Sequence, residues 1–241
     1  MTAIQTKNLT KCYGDVTAVD ELSLSVEEGE LFALLGVHGA GKTTTIKMLS
    51  CLAKPSGGEA FLLGNSIHGD SLKIKQLINL APQETAVAPN LSVRENLEFI
   101  AGIYGQNRKA AKQNADRMAS QFDLAPILHK KAKTLSGGMQ RRLSLAMALI
   151  SEPKILFLDE PTLGLDVLAR RELWTTIRSL KNKVTIILTT HYMEEVEALS
   201  DRIGIMAHGR LLSVGTAEEL KAQSGADTLE DAFIAVAGGA Q

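Results

Sequence analysis

The sequence has little cysteine: two residues, Cys12 and Cys51, in 241. A chain stapled by a disulfide framework carries a denser, paired set, so these two read as reduced thiols of a reducing compartment. Net charge is nearly absent as well. The 26 Lys and Arg against 27 Asp and Glu leave a formal charge of -1, which excludes the one-signed electrostatic footprint of a nucleic-acid binder. The basic run His129-Lys130-Lys131-Ala132-Lys133 reads as a solvated loop ahead of a helix, and no nucleic-acid partner is expected. Long hydrophobic runs are missing too. A membrane-spanning helix needs about 20 consecutive apolar residues, and the best runs, Ile155 to Leu158 and Val184 to Leu188, are far shorter and bounded by charge. Met1 to Lys11 mixes Thr, Gln, Asn and Lys without the apolar stretch of a leader. The expectation is a cytoplasmic chain with no direct membrane insertion, peripheral to a membrane only through a partner. No internal repeat or low-complexity segment is found.

What is present is enough apolar material, 45% of residues, for one large α/β domain or a core with one inserted subdomain. Ala3 to Leu9 and Leu22 to Glu27 alternate in polarity as half-exposed strands do. Leu31 to Leu35 is a short continuous apolar run, a buried strand, followed by a glycine-rich turn and a helix over Thr43 to Leu52 that ends before Pro55. Glu59 to Leu63 and Ile78 to Ala81 are further strands. The middle of the chain changes character. Ser92 and Glu95 stand at capping-box spacing with Leu91 as a staple, and Val93, Leu97, Ile100 and Tyr104 then share one helical face. Helices over Lys109 to Phe122 and Gly138 to Ile150 follow. Strands resume at Ile155 to Leu158 and Val184 to Thr189, around a helix from Val167 to Leu180, the alternation of a parallel sheet. Ile203 to Met206 and Leu211 to Val214 form a hairpin about His208-Gly209. A capping box at Thr216 and Glu219 opens a short helix, and Leu229 to Val236 forms the last one before a Gly-Gly tail.

Two segments carry chemistry. Gly36-Val37-His38-Gly39-Ala40-Gly41-Lys42-Thr43 matches the phosphate-binding loop G-x-x-x-x-G-K-[ST], set between a buried strand and a helix. Its glycines let backbone N–H groups converge on phosphate oxygens, and the helix N-terminus, with Thr44 beside Thr43, adds its positive dipole end. Lys42 reaches the β- and γ-phosphates, and the Thr43 hydroxyl ligates Mg²⁺. Ile155 to Leu158 then ends in Asp159-Glu160, placing two carboxylates at the C-terminal edge of the sheet, where α/β proteins bind ligands. Asp159 suits the metal, and Glu160 the orientation or deprotonation of an attacking water.

Thr134-Leu135-Ser136-Gly137-Gly138-Met139-Gln140-Arg141-Arg142 resembles the signature sequence of ABC ATPases, Leu-Ser-Gly-Gly-Gln, with Met139 intervening, and the motifs stand in that family's order. The resemblance implies an α/β P-loop NTPase of ABC type. Its expected parts are a RecA-like parallel core with an antiparallel β subdomain (1–84 and 151–220), an inserted helical subdomain (85–150) and a short C-terminal helix and tail (221–241). It also implies that Ser136, Gly137, Gly138 and Gln140 close on nucleotide held by a second cassette. Tyr13 matches the aromatic residue that stacks on adenine, although a packed surface tyrosine is the plainer alternative. Gln83 matches the glutamine that senses Mg²⁺ and the attacking water. Asp166 matches the loop crossing between two cassettes, and is equally good as a helix N-cap. His191 matches the histidine that contacts the γ-phosphate. His38 departs from the pattern, standing where the family usually has Asn. Asparagine cannot titrate whereas an imidazole can near neutrality, so ATP turnover is expected to be more sensitive to mild acid than in His38→Asn, a difference that superimposable pH profiles would remove.

The implied activity is ATP hydrolysis that drives a membrane permease, with ATP and Mg²⁺ bound in two composite sites of a head-to-tail pair, most simply a homodimer. Thr189-Thr190-His191-Tyr192-Met193-Glu194-Glu195 and Leu229 to Phe233 resemble cassettes of bacterial exporters for drugs, antibiotics or cell-surface glycolipids. A non-transport ABC ATPase acting on a soluble assembly is the alternative. Gly36 and Ser136 lie in one compact stretch without sustained heptads, which argues against the chromosome-acting type. A small-molecule P-loop kinase would leave Ser136 to Gly138 and His191 without a purpose.

Overall fold

Alternation at the start of the chain builds a strand longer than the pattern suggests. In the computed structural model, which describes residues Met1–Gly239, β1 runs over Thr2–Tyr13. Its polar second half stays in the sheet because it pairs with β2, Val16–Leu22, which the periodicity does not reveal. The expected strand Leu22 to Glu27 divides: β2 ends at Leu22 and β3 takes Ser25–Glu27. The division sits on the buried Thr6, whose hydroxyl donates to Leu22 O and accepts from Leu24 N–H. A side chain thus supplies the bonds a continuous ladder would otherwise make.

β4, Leu31–Leu35, is buried at every residue. Helix α1 covers Lys42–Leu49, stopping short of Leu52. Cys51 turns to φ +57° there, and the N–H groups of Leu52 and Ala53 fold back on Lys47 O. Then come β5 (Gly57–Leu62), β6 (Asn65–Ser66), an unforeseen helix α2 (Ser71–Leu77) and β7 (Ile78–Ala81). Three helices follow: α3 (Val93–Ile103), α4 (Arg108–Gln121) and α5 (Gly137–Leu149). The capping box of Ser92 and Glu95 is formed in both directions. The chain ends with β8 (Ile155–Asp159), α6 (Val167–Arg178), β9 (Thr185–Thr190), α7 (Met193–Leu199), β10 (Arg202–Ala207), β11 (Arg210–Gly215), α8 (Ala217–Ser224) and α9 (Leu229–Gly238). Ala240 and Gln241, the end of the expected tail, lie outside the described residues.

The strands form two sheets. One is antiparallel in the order β2-β1-β5-β6, with β3 also on β1. The other is six-stranded in the order β11-β10-β4-β9-β8-β7, parallel except for the β10–β11 hairpin. Its central strands are buried on both faces, which explains their unbroken apolar runs. Along β4, Leu31, Ala33 and Leu35 face the helical core, while Phe32 and Leu34 face the core shared with the antiparallel sheet. Each leucine or phenylalanine among them contributes about 1.5–3 kcal/mol by leaving water. Among the described residues no helix is long and apolar enough to cross a membrane.

The parallel register aligns the functional ends. Leu35 pairs with Thr190, and Asp159 with Thr189. The loop after β4, the acidic end of β8 and the histidine after β9 therefore leave the sheet side by side.

Candidate functional site

The loop after β4 is built around what its glycines exclude. Gly36 packs so closely on β10 that a Cβ would lie 2.4 Å from Met206 O, and one on Gly41 would lie 2.5 Å from Ala18 O at φ +100°. No side chain caps α1, whose N-cap is Gly41, so its first N–H groups remain available to an anion. Tyr13, Ala18, His38 to Thr44, Gln83 and Glu160 line one open cavity of about 400 Å³. Val37 is not part of the lining, and its side chain is exposed. Gly41→Ala is expected to weaken nucleotide binding roughly tenfold or more through strain at this one residue, as read by titration with a fluorescent nucleotide.

At the cavity floor Lys42 Nζ donates to Gly36 O (2.7 Å) and Val37 O (3.0 Å) and stands 3.7 Å from Glu160 Oε1. Burial pushes the Lys42 ammonium below its ordinary range, and the carboxylates of Glu160 and Asp159 oppose that shift. Thr43 Oγ1 donates to Asp159 Oδ1 at 3.0 Å. These adjacent hard oxygen donors, with the Gln83 amide on the cavity wall, fit Mg²⁺, which takes one or two carboxylates together with substrate phosphates.

Glu160 is held by more than its own preference. It has φ +46°, a region costly for a residue with a side chain. Its N–H donates to both Thr189 O (3.0 Å) and Thr189 Oγ1 (3.1 Å), and its carbonyl accepts from Arg141 Nη2 (2.9 Å). The carboxylate Oε2 lies 3.2 Å from His191 Nδ1. Among the described residues neither of these buried atoms has a hydrogen-bond partner. Glu160 lines the open cavity, and a carboxylate oxygen with no donor of its own there can accept a proton from water.

Two of these supports escaped sequence reasoning. Thr189 also donates to Asp159 Oδ1 at 2.5 Å; its only signal is a hydroxyl inside the apolar run of β9. Arg141 is buried in the start of α5, and its second contact is Nη1 to Pro82 O at 2.7 Å. It ties that helix to β8 and to the segment before Gln83.

Other expected site residues stand apart. Ser136, Gly137 and Gly138 do not line the cavity. Ser136 caps α5, accepting from Met139 N–H, and the Gln140 amide donates to Ala132 O and Leu135 O, within its own loop. A Cβ at Gly138 would meet Ala169 at 3.2 Å, whereas one at Gly137 would meet nothing within 4 Å. Asp166 is the N-cap of α6, accepting from Leu168 and Ala169 N–H. Tyr13 is half-exposed at the cavity rim, with Lys11 Nζ 4.7 Å over its ring.

Glu195 of α7, fully buried, also went unrecognised. Burial raises its carboxyl above the ordinary range; the hydroxyls of Thr190 and Thr162, the Trp174 indole and Arg170 oppose this. Trp174 Nε1 donates to its Oε1 at 3.0 Å. The folded chain therefore holds this proton more tightly than the unfolded chain. Stability is fully present below the ordinary carboxyl pKa and falls as pH rises from there through the raised folded value. Glu195→Gln is expected to lack that loss and to be at least as stable as wild type at neutral pH, measured by urea unfolding across pH.

A second concavity, about 270 Å³, opens between the helical layer and the sheet edge, lined by Leu80, Pro82, Ile100, Ile103, Tyr104 and Met147 among others. Phe99 and Ile103 are largely exposed beside it.

Residues 19–163 match the family model described as ABC transporter. The chain is 44% identical to the probable multidrug ABC transporter ATP-binding protein YbhF of Escherichia coli (strain K12), over 97% of this chain and 41% of that protein. It therefore spans less than half of that relative. It is 41% identical to the daunorubicin resistance ATP-binding protein DrrA3 of Streptomyces coeruleorubidus, over 95% of this chain and 73% of that one. Among solved structures it is similar to the dimeric post-hydrolysis state of the ATP-binding cassette MJ0796 bound to ADP and Pi. The TM-score there is 0.80 at 25% identity, covering 88% of this chain and 98% of the other.

Proposed function

The chain belongs to the ABC transporter family, whose ATP-binding subunits hydrolyse ATP, and from that membership we propose that it powers an exporter of the drug- and antibiotic-resistance type by closing and reopening as a two-cassette pair. The observation that carries this reading is the division of labour at the site. Lys42, Thr43, Gln83 and Glu160 line one cavity, with Asp159 bonded to Thr43 and His191 beside Glu160, while Ser136 and Gly137 are exposed on a separate helix start. Nothing in the single chain demands a glycine at Gly137. A second cassette bringing its phosphates against that helix end does demand one. Val167, Leu168 and Met139 expose apolar surface next to this helix start, as a face that pairs would.

In this mechanism the loop from Gly36 to Thr44 and the N-terminus of α1 hold the triphosphate, with Lys42 at its β- and γ-phosphates. Tyr13 packs on the adenine. Thr43, Asp159 and Gln83 hold Mg²⁺, which neutralises phosphate charge. Glu160 Oε2 accepts the proton of the attacking water, and His191, 3.2 Å from that oxygen, contacts the γ-phosphate. Ser136, Gly137 and Gly138 of the opposite cassette close the site, with Gln140 fixing their loop and Asp166 at the crossing between chains. Loss of the γ-phosphate removes the contacts that hold the pair shut. Residues 85–150 serve as the lever, and their apolar concavity receives a short helix of a membrane permease, which places the chain on the cytoplasmic face of that membrane.

Mixing two inactive variants tests this. Lys42→Ala lacks a phosphate loop and Gly137→Asp lacks a working helix tip, and a mixed pair contains one intact site. With free exchange, equal amounts are expected to recover about a quarter of the wild-type sites. A Gly137→Asp chain that turns over ATP at the wild-type rate by itself would sink the two-chain site.

A further inference from the structure

His38, Glu160 and His191 place one ligand atom each within 4.8 Å of one another, and we infer that they form a binding site for a borderline transition-metal ion such as Zn²⁺ or Co²⁺, distinct from the oxygen site for Mg²⁺. Two of the three atoms are already at ligand spacing. Donors about 2.1 Å from a tetrahedral ion lie about 3.4 Å apart, and Glu160 Oε2 and His191 Nδ1 are 3.2 Å apart. Among the described residues both are buried with no hydrogen-bond partner, although unpaired buried polar atoms are rare and costly. The third ligand sits on the exposed loop, with its ring centroid 4.7 Å from that of His191, so a side-chain rotation brings its nitrogen in. Lys42 addresses the other carboxylate oxygen, Oε1, and leaves Oε2 to the ion.

The donor set decides which ion binds. Two imidazoles and a carboxylate suit Zn²⁺, Co²⁺ or Ni²⁺, whereas Mg²⁺ prefers oxygen. An open fourth position accepts water. Binding needs His191 with its proton on Nε2 and a lone pair on Nδ1. The binding step stands without the ATPase reading, but its consequence rests on that reading. A metal on Oε2 takes the base away from water and holds His191 off the γ-phosphate, so such ions act as inhibitors that excess Mg²⁺ does not relieve.

The test is a Co²⁺ titration of the nucleotide-free full chain, followed by its visible d–d absorption. Wild type is expected to bind a single equivalent, with Zn²⁺ displacing it. His38→Asn and, as a second variant, His191→Ala are expected to weaken binding roughly tenfold or more. Zn²⁺ is expected to inhibit wild-type turnover, each sample being referred to its own metal-free rate. No stoichiometric Co²⁺ spectrum, or equal affinity in both variants (binding through Cys12, Cys51 or His68 instead), overturns the site. A chain that binds Co²⁺ in this way yet never hydrolyses ATP overturns the ATPase reading and leaves the metal site standing.

Discussion

Glu160→Gln is expected to lower ATP turnover by about 10²–10⁴-fold, the range that a general base contributes, while keeping ATP-dependent pairing. The argument is geometric. Glutamine is the same shape, so the φ of +46° is still imposed by the two hydrogen bonds that the residue 160 N–H donates to Thr189 and by Arg141 on the carbonyl. What changes is Oε2, which no longer takes a proton from water. Replacing the carboxylate also removes the negative charge 3.7 Å from Lys42, leaving that ammonium more available to phosphate. ATP is then held but not consumed, and size-exclusion chromatography with ATP should show the paired species where wild type shows mostly single chains. If the variant stays single at every concentration while binding ATP, the nucleotide is not a bridge between cassettes. If it hydrolyses at the wild-type rate, Glu160 is not the base.

Arg141→Met is expected to have the largest effect on stability. Its guanidinium donates to two carbonyls just past the ends of β7 and β8, the part-buried Pro82 O and the buried Glu160 O, and methionine fills the volume but supplies no donor. Each bond from a charged donor is worth about 1.5–3 kcal/mol. Part of that is returned because the guanidinium no longer has to be desolvated, the effect by which burial lowers its pKa against the pull of Asp159, Glu195 and Glu160. A net loss of about 2–4 kcal/mol lowers Tm by roughly 5–15 °C in a domain of this size, measured by calorimetry. Turnover should fall as well, because the carbonyl that fixes Glu160 loses its partner. Arg141→Lys restores at most one of the two bonds, because an ammonium lacks the planar fork. An unchanged Tm in Arg141→Met would mean that this strut carries no load.

Local pattern made much of this legible. The run Leu31 to Leu35, the glycine spacing before Lys42 and the apolar strand ending in Asp159-Glu160 are each contained in a few consecutive residues, and the chemistry of each is local. The capping boxes at Ser92 and Thr216 were legible for the same reason, since both partners lie three residues apart. The misses share another cause. β2 buries only Val19 and Leu22, three positions apart and so off the strand period, and is recognised only by its pairing with β1. α2 has one buried residue, Ile74, and so no periodic stripe.

The sequence by itself determined the two chemical segments, the family and the order of the elements other than β2, β6 and α2, because these depend on residue type and short spacing. Only the tertiary structure decided that Glu160 and His191 meet through Oε2 and Nδ1, that Thr189 and Arg141 hold the acidic strand end, and that Gly137 faces open space. Those contacts join residues 19 to 31 positions apart or, for Gly137, consist of the lack of any neighbour. Parallel pairing of strands distant in sequence brings such ends together. No pattern along the chain encodes a distance across the sheet.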